Sequence, residues 1–436
     1  MTGLSDTIAA VATPPGKGAI GILRLSGPEA LTIGARVWRG RDPRRLAGGR
    51  FSHGRMVDPE TGETLDEGLL LVFRTPRSYT GEDALEFQLH GSPAVLRRGL
   101  AALTAAGARP ARPGEFTLRA YLNGRLDLAQ AESVLALVEA ETETARRQAL
   151  KGLGRELTAR IAAAEAPLLD LLAHVQATLD YPEEGVEPPR VEAALEAAAR
   201  ELRSLLATER AGRIAREGAR LVLLGPPNAG KSSLLNALLG YPRALVAPEP
   251  GTTRDYLEAP LALEGLPVQA IDTAGVRTSN DPVEAAGVRR GLELAEGADL
   301  VLWLSDQSRP QVPPPAGLDP ERLLLVASKA DRPPAWRDPR YLPVSARTGA
   351  GLEALKAAIR ARLLGGAEEG EAWLTSARQA EALRRALGRL EAARGAPDDL
   401  LALELEAALE ALAEVTGTAV AEATLDRIFA NFCLGK

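Results

Sequence analysis

Residues Gly225-Pro226-Pro227-Asn228-Ala229-Gly230-Lys231-Ser232 spell G-x-x-x-x-G-K-S, between the apolar run Leu221 to Leu224 and the helical run Ser233 to Leu239. The flanks constrain the fold more than the pattern does. A buried parallel strand delivers the chain into a Gly-rich turn, and a helix begins at once. Backbone N–H groups of such a turn converge on phosphate oxygens, and the helix adds its positive end. Lys231 supplies a point charge for the outer phosphates, and Ser232 a hydroxyl for magnesium. Asn228 to Ser233 are therefore candidate nucleotide contacts.

Three later segments say which nucleotide. Asp272-Thr273-Ala274-Gly275 follows the short strand Val268 to Ile271. An aspartate there can hold the magnesium shell through water, and Gly275 can offer its N–H to the terminal phosphate. Ser328-Lys329-Ala330-Asp331 ends the apolar run Leu323 to Ala327, where the usual pattern is N-K-x-D. Asp331 can accept two hydrogen bonds from guanine's ring and amino N–H groups, a pair that adenine cannot donate. Ser345-Ala346-Arg347 matches the turn whose backbone meets the guanine carbonyl. Ser328 replaces the expected Asn. Being shorter, it is expected to reach neighbouring loops through water, at about 1 kcal/mol of nucleotide binding.

The stretch Gly251-Thr252-Thr253 lies between the phosphate loop and Asp272, where a switch loop must sit, and Thr253 is the candidate second magnesium ligand. Hydrolysis poses a problem. The position after D-x-x-G is Val276, which cannot orient water. Two other groups are candidates. The Asn228 amide oxygen could hold a monovalent cation that neutralises transition-state charge. Glu284 could position the attacking water through a second water, or be a solvated carboxylate at a helix start.

At 436 residues the chain has room for two to four domains. Its 52 basic and 58 acidic residues, net −6, argue against a uniformly basic RNA-coating surface. Cys433 is the single cysteine, so no intramolecular disulfide forms. With no leader pattern and no apolar run of membrane-span length, a cytoplasmic protein is expected. His53, His90 and His174 show no metal spacing.

Patterning divides the chain. Residues 1–119 mix strands (Ala19 to Leu25, Gly68 to Phe73, Ala84 to His90) with a helix from Pro93 to Ala106. Glu86, Gln88 and His90 fall on one strand face. Residues 120–215 are helical, with one apolar stripe through Leu150, Leu153, Leu157, Ile161, Leu168, Leu172, Val175 and Leu179. Residues 216–366 hold every nucleotide motif in alternating strands and helices, a doubly wound α/β domain. Residues 367–436 are helical again. The fold class expected is α/β plus all-α, multidomain: an amino-terminal α/β domain, a discontinuous helical domain, and a Ras-like P-loop GTPase domain inserted into it.

Several further stretches carry a resemblance: Ala12-Thr13-Pro14-Pro15-Gly16, Ile22 to Gly27, Tyr79-Thr80-Gly81-Glu82-Asp83, Ala111 to Thr117, Leu126 to Glu132, and the ending Phe432-Cys433-Leu434-Gly435-Lys436. With them the chain resembles the MnmE (TrmE) family of tRNA-modifying GTPases along nearly its full length. The resemblance implies a homodimer through the first domain and a flavin-containing (FAD) partner, MnmG, in a heterotetramer or larger complex. It implies a (carboxymethyl)aminomethyl group placed on carbon 5 of a wobble uridine of tRNA, its carbon drawn from a tetrahydrofolate of the 5-formyl or methylene type. Arg24, Glu86, Arg125 and Lys436 are the implied folate contacts. Cations can hold a glutamate tail, and a carboxylate can pair with pterin N–H donors. The family also implies potassium-stimulated GTP hydrolysis. Asn228, Ala247, Glu249 and Thr252 are the implied potassium ligands, in a loop where Pro248 and Pro250 depart from the common sequence. Cys433 is either a nucleophile or proton donor, or a small packing residue. A second reading stays open, a regulatory GTPase switch without modifying activity, for example in ribosome assembly.

Overall fold

The computed structural model describes residues 6–181, 190–240, 257–272, 291–368, 370–433 and 435. They form two compact units, one of residues 1–135 with 416–436, the other of residues 136–415.

The first unit is built on a seven-stranded sheet, ordered β3-β4-β5-β6-β2-β1-β7. Its strands are β1 (Ile8–Val11), β2 (Ile20–Ser26), β3 (Trp38–Arg39), β4 (Arg50–Val57), β5 (Thr64–Phe73), β6 (Ala84–His90) and β7 (Arg109–Pro110). All pairings are antiparallel except β1 with β7. Alternation sets the two faces. Leu23, Leu25, Leu70, Val72, Leu85 and Phe87 are buried with Ile33, Val37, Leu96 and Leu103 of the helices Ala30–Val37 and Pro93–Ala105. That leaves Arg24 and Glu86 on the opposite face, as the strand period requires. The chain's end folds here too. Phe429 and Phe432 pack with Leu128 and Ala131, and the Gly114 N–H donates to the Cys433 carbonyl at 3.4 Å. A Cβ on Gly114 would lie 2.4 Å from the Phe429 carbonyl oxygen, so only glycine admits the tail at this point.

The second unit carries a six-stranded sheet, ordered β13-β12-β11-β8-β10-β9. Its strands are β8 (Ala219–Leu224), β9 (Leu257–Leu263), β10 (Leu266–Asp272), β11 (Leu300–Asp306), β12 (Leu323–Ser328) and β13 (Leu342–Val344). All pairs are parallel except β9 with β10. Leu221 and Leu223 face a core shared with Ile214, Ile359 and Trp373, while Val222 and Leu224 face Ala298, Trp303 and Tyr341. Burial on both faces explains the unbroken apolar run.

Helices from both sides of this sheet in sequence pack together: Val191–Ala207 lies against Glu156–Asp180 and Ala377–Ala392. The single stripe expected along residues 150–179 is corrected. Arg155 sits at φ 65° and separates Glu143–Leu153 from Glu156–Asp180, which resets the phase. The buried positions of the long helix are Leu157, Ile161, Ala164, Leu168, Leu171 and Val175. Leu150 and Leu179 are 43% and 45% exposed. Among the described residues no helix is long and apolar enough to cross a membrane.

Candidate functional site

The phosphate loop leaves the carboxyl end of β8 in the centre of its sheet. Gly225 takes φ 147°, and a Cβ there would stand 2.3 Å from the Leu304 carbonyl oxygen. Asn228 (φ 60°) and Gly230 (φ 92°) complete a turn that ends at the first residue of the helix Lys231–Leu239. Lys231 is only 7% exposed. Its Nζ donates across the loop to the carbonyls of Gly225 (2.8 Å) and Pro226 (3.1 Å). Burial pulls the Lys231 pKa down, and the charge of Asp272 works against that pull. Ser232 Oγ donates to Asp272 Oδ2 at 2.6 Å. These two hard oxygen donors suit Mg²⁺, which binds few protein oxygens and completes its shell with phosphate and water. Among the described residues no group of three or more His, Cys, Asp or Glu could hold a metal unaided.

The segment expected to read the base begins where β12 ends. Ser328 Oγ donates directly to the Ala229 carbonyl at 2.6 Å, where a water bridge was expected from side-chain length. Lys329, at φ 58°, extends its Nζ to the Asn228 carbonyl (2.6 Å) and to Asp306 Oδ2 (2.8 Å). Asp331 Oδ1 accepts from Ser345 Oγ at 2.6 Å, and Oδ2 from Arg347 Nε at 2.8 Å. The Ser345 bond, with Arg347, holds the Asp331 carboxyl below the usual range. The Ala330 N–H donates to the Val344 carbonyl, bringing the Ser345–Arg347 turn beside the base loop. Asp306 escaped sequence reasoning. Its one signal is a lone carboxylate ending the apolar strand β11. Two proline-rich loops, 310–315 and 333–339, are pinned around it: Trp336 Nε1 donates to the Asp306 carbonyl and Trp303 Nε1 to that of Val312. Ser233 is the third residue of the helix after the loop and is exposed. Ala247, Pro248, Glu249, Pro250, Gly251, Thr252, Thr253, Thr273, Ala274, Gly275 and Glu284 lie outside the described residues.

The first unit brings a second set of predicted residues together. Arg24 on β2 is the register partner of Glu86 on β6. Its Nε and one terminal nitrogen reach Glu86 Oε1 at 2.9 and 2.8 Å. Its other terminal nitrogen donates to the Gly435 carbonyl at 3.0 Å. The guanidinium carbon stands 5.6 Å from the ring centroids of both Tyr79 and Phe116, a cation–π arrangement. Arg125 Nε donates to the carbonyl of Ser78, next to Tyr79, at 3.2 Å. Gly435 takes φ 91°, and a Cβ there would meet the Val11 carbonyl oxygen at 2.5 Å. The Cys433 thiol is exposed. Lys436 lies outside the described residues. Tyr79 and Phe116 were legible only as members of longer motifs, because nothing in their spacing places a cation between them.

The family model described as "GTP-binding protein TrmE N-terminus" matches residues 7–125, and "MnmE helical domain" matches 128–433. The tRNA modification GTPase MnmE of Thermus thermophilus is 63% identical over 433 residues, covering 99% of this chain and 100% of that protein. That of Chloroflexus aurantiacus is 46% identical over 460 residues, covering 99% and 100%. The solved G domain of the T. maritima FeoB iron transporter matches 33% of this chain and 98% of its own, at 24% identity and a TM-score of 0.25.

Proposed function

This chain belongs to the MnmE family of tRNA modification GTPases, and on that premise we propose how its two sites share the work. The second unit binds and hydrolyses GTP with Mg²⁺ held through Ser232 and Thr253. The Asn228 side chain with Ala247, Glu249 and Thr252 would hold potassium, which would supply positive charge against that building on the phosphates. Glu284 positions the attacking water. The first unit binds a tetrahydrofolate through Arg24, Glu86, Arg125 and Lys436, and two copies of the chain pair through it. In this reading residues 1–119 are the folate-binding and dimerising domain, 216–366 the GTPase domain, and 120–215 with 367–436 the helical domain.

The observation that carries the reading is the joining of Arg24, Glu86 and Gly435. A GTPase switch has no need of a paired cation joined to the Gly435 carbonyl. Both Arg24 contacts fall on Glu86 Oε1, which leaves Oε2 to accept from a pterin N–H. The folate supplies the one-carbon unit, and the flavoprotein partner MnmG supplies redox chemistry. The product is a (carboxymethyl)aminomethyl group on carbon 5 of the wobble uridine. Cys433, exposed beside Gly435, is the chain's own nucleophile or proton donor toward that base.

The deciding experiment is tRNA modification by the purified protein with and without the flavoprotein, alongside titration with 5-formyltetrahydrofolate. Folate binding that Arg24→Ala removes, and modification only in the mixture, are expected. GTP hydrolysis with neither folate binding nor modification would leave a regulatory switch as the better reading.

A further inference from the structure

We propose that the β3–β4 edge of the first unit is the surface that grips the tRNA backbone, with Phe51 as its stacking platform. The inference rests on the tRNA-modifying reading above. In a chain of net charge −6, seven arginines lie between positions 36 and 55, against one carboxylate, Asp42. All seven are exposed. Asp42 is occupied by Arg44, whose Nε and terminal nitrogen reach its two oxygens at 3.0 and 2.8 Å. Arg36 and Arg39 donate to backbone carbonyls, and Arg55 faces Glu67 at 3.8 Å. The side chains of Arg41, Arg45 and Arg50 have no acceptor among the described residues and stand free for phosphate.

The loop that carries them is braced. Arg41 N–H donates to Ser52 Oγ at 2.9 Å. Arg74 donates to the carbonyls of Pro43, Arg44 and Leu46. A loop whose backbone is already held loses little further backbone entropy when its cations meet phosphates. An acidic protein would also answer to charge alone, but the neighbouring hollow favours RNA. Phe51 is 64% exposed and flanks a hollow of about 230 Å³ with Arg50, Leu69, Leu71, Phe73 and Gln88. An aromatic ring, an apolar floor and one amide beside cations are what an unstacked base requires. Leu71 is the register partner of Glu86, so a base held in the hollow lies on the same sheet face as the Arg24–Glu86 pair.

The test uses the full chain, unmodified substrate tRNA and two variants, R41Q/R45Q/R50Q and F51A, with binding measured from about 50 to about 200 mM salt. The triple variant is expected to bind on the order of 100-fold more weakly near 0.1 M salt, with the log–log salt slope shallower by about two. F51A is expected to lose roughly tenfold with its slope unchanged. The thermal melt of the chain and its GTP hydrolysis without tRNA stay unaltered in both, the melt showing that the first unit, which carries the substitutions, is folded. An unchanged slope in a triple variant that still modifies tRNA overturns the surface and spares the enzyme assignment. Dissociation of the dimer, or loss of a protein partner with tRNA binding retained, also overturns it. Failure of the unaltered chain to bind tRNA overturns both.

Discussion

Ser328 Oγ stands 2.6 Å from the carbonyl oxygen of Ala229 and so ties the end of β12 to the phosphate loop without an intermediary. Both ends of the nucleotide site are thereby set by one short bond in a buried position.

Removing that hydroxyl leaves the Ala229 carbonyl without its donor. Ser328→Ala is expected to cost about 1 kcal/mol of GTP binding, roughly a fivefold rise in Kd. Ser328→Asn brings no gain, because the bond it would supply is already direct. Calorimetric titration with GTP distinguishes these outcomes, and tighter binding by the Asn variant would contradict the geometry.

Asp331 accepts from Ser345 and Arg347 through its two oxygens, which fixes the orientation of the carboxylate proposed to read guanine's two N–H groups. Asp331→Asn replaces one acceptor by an N–H donor. It is expected to lower GTP affinity at least 100-fold, by the order seen when a polar site loses its match. It should raise affinity for the xanthine nucleotide, whose 2-oxo group accepts that donor. Competition between the two triphosphates reads the switch.

Lys329 holds the Asn228 carbonyl at 2.6 Å and is itself held by Asp306, so the Asn228 amide is presented from a clamped backbone. GTP turnover is expected to rise when potassium replaces sodium, and Asn228→Ala is expected to abolish the rise. Equal rates in the two salts would remove the cation from the mechanism.

Arg119 is fully buried in the first unit and meets Asp6, Glu82 and Glu115 at 2.6, 3.2 and 3.4 Å. Arg119→Ala removes the buried cation that these carboxylates share, leaving Asp6 and Glu115 to Arg109 and Glu82 to Ser26, and is expected to destabilise the unit by about 3 kcal/mol in denaturant melts. The same cluster predicts a pH dependence. Burial alone would raise the Glu115 and Asp6 carboxyls, but the hydrogen bonds from Arg109, with those from the Arg112 N–H to Glu115 and from Arg119 to Asp6, hold both below the usual range. Their contribution is therefore complete above the unfolded values near about 4, and is lost as pH falls through the lower folded values. Melting temperature should be flat from neutrality to about pH 5 and fall below about pH 4.

The amino-acid sequence alone determined the chemistry of the nucleotide site. Gly225, Asp272 and Asp331 follow or end strands, Lys231 and Ser232 open the helix after the loop, and short-range spacing is enough to read them. Alternation likewise put Glu86 on the face away from Leu85 and Phe87. Tertiary structure alone decided the pairings that span the chain. Arg24 meets Gly435 across 411 positions, Asp306 meets Lys329 from a neighbouring strand, and Arg119 gathers three acids from separate segments. No periodicity encodes such contacts, because they arise when non-local apolar burial fixes where each polar group lands. The long helical stripe shows the same limit from the other side: one left-handed residue, Arg155, shifted its phase, and a residue's backbone angle is set by the packing around it.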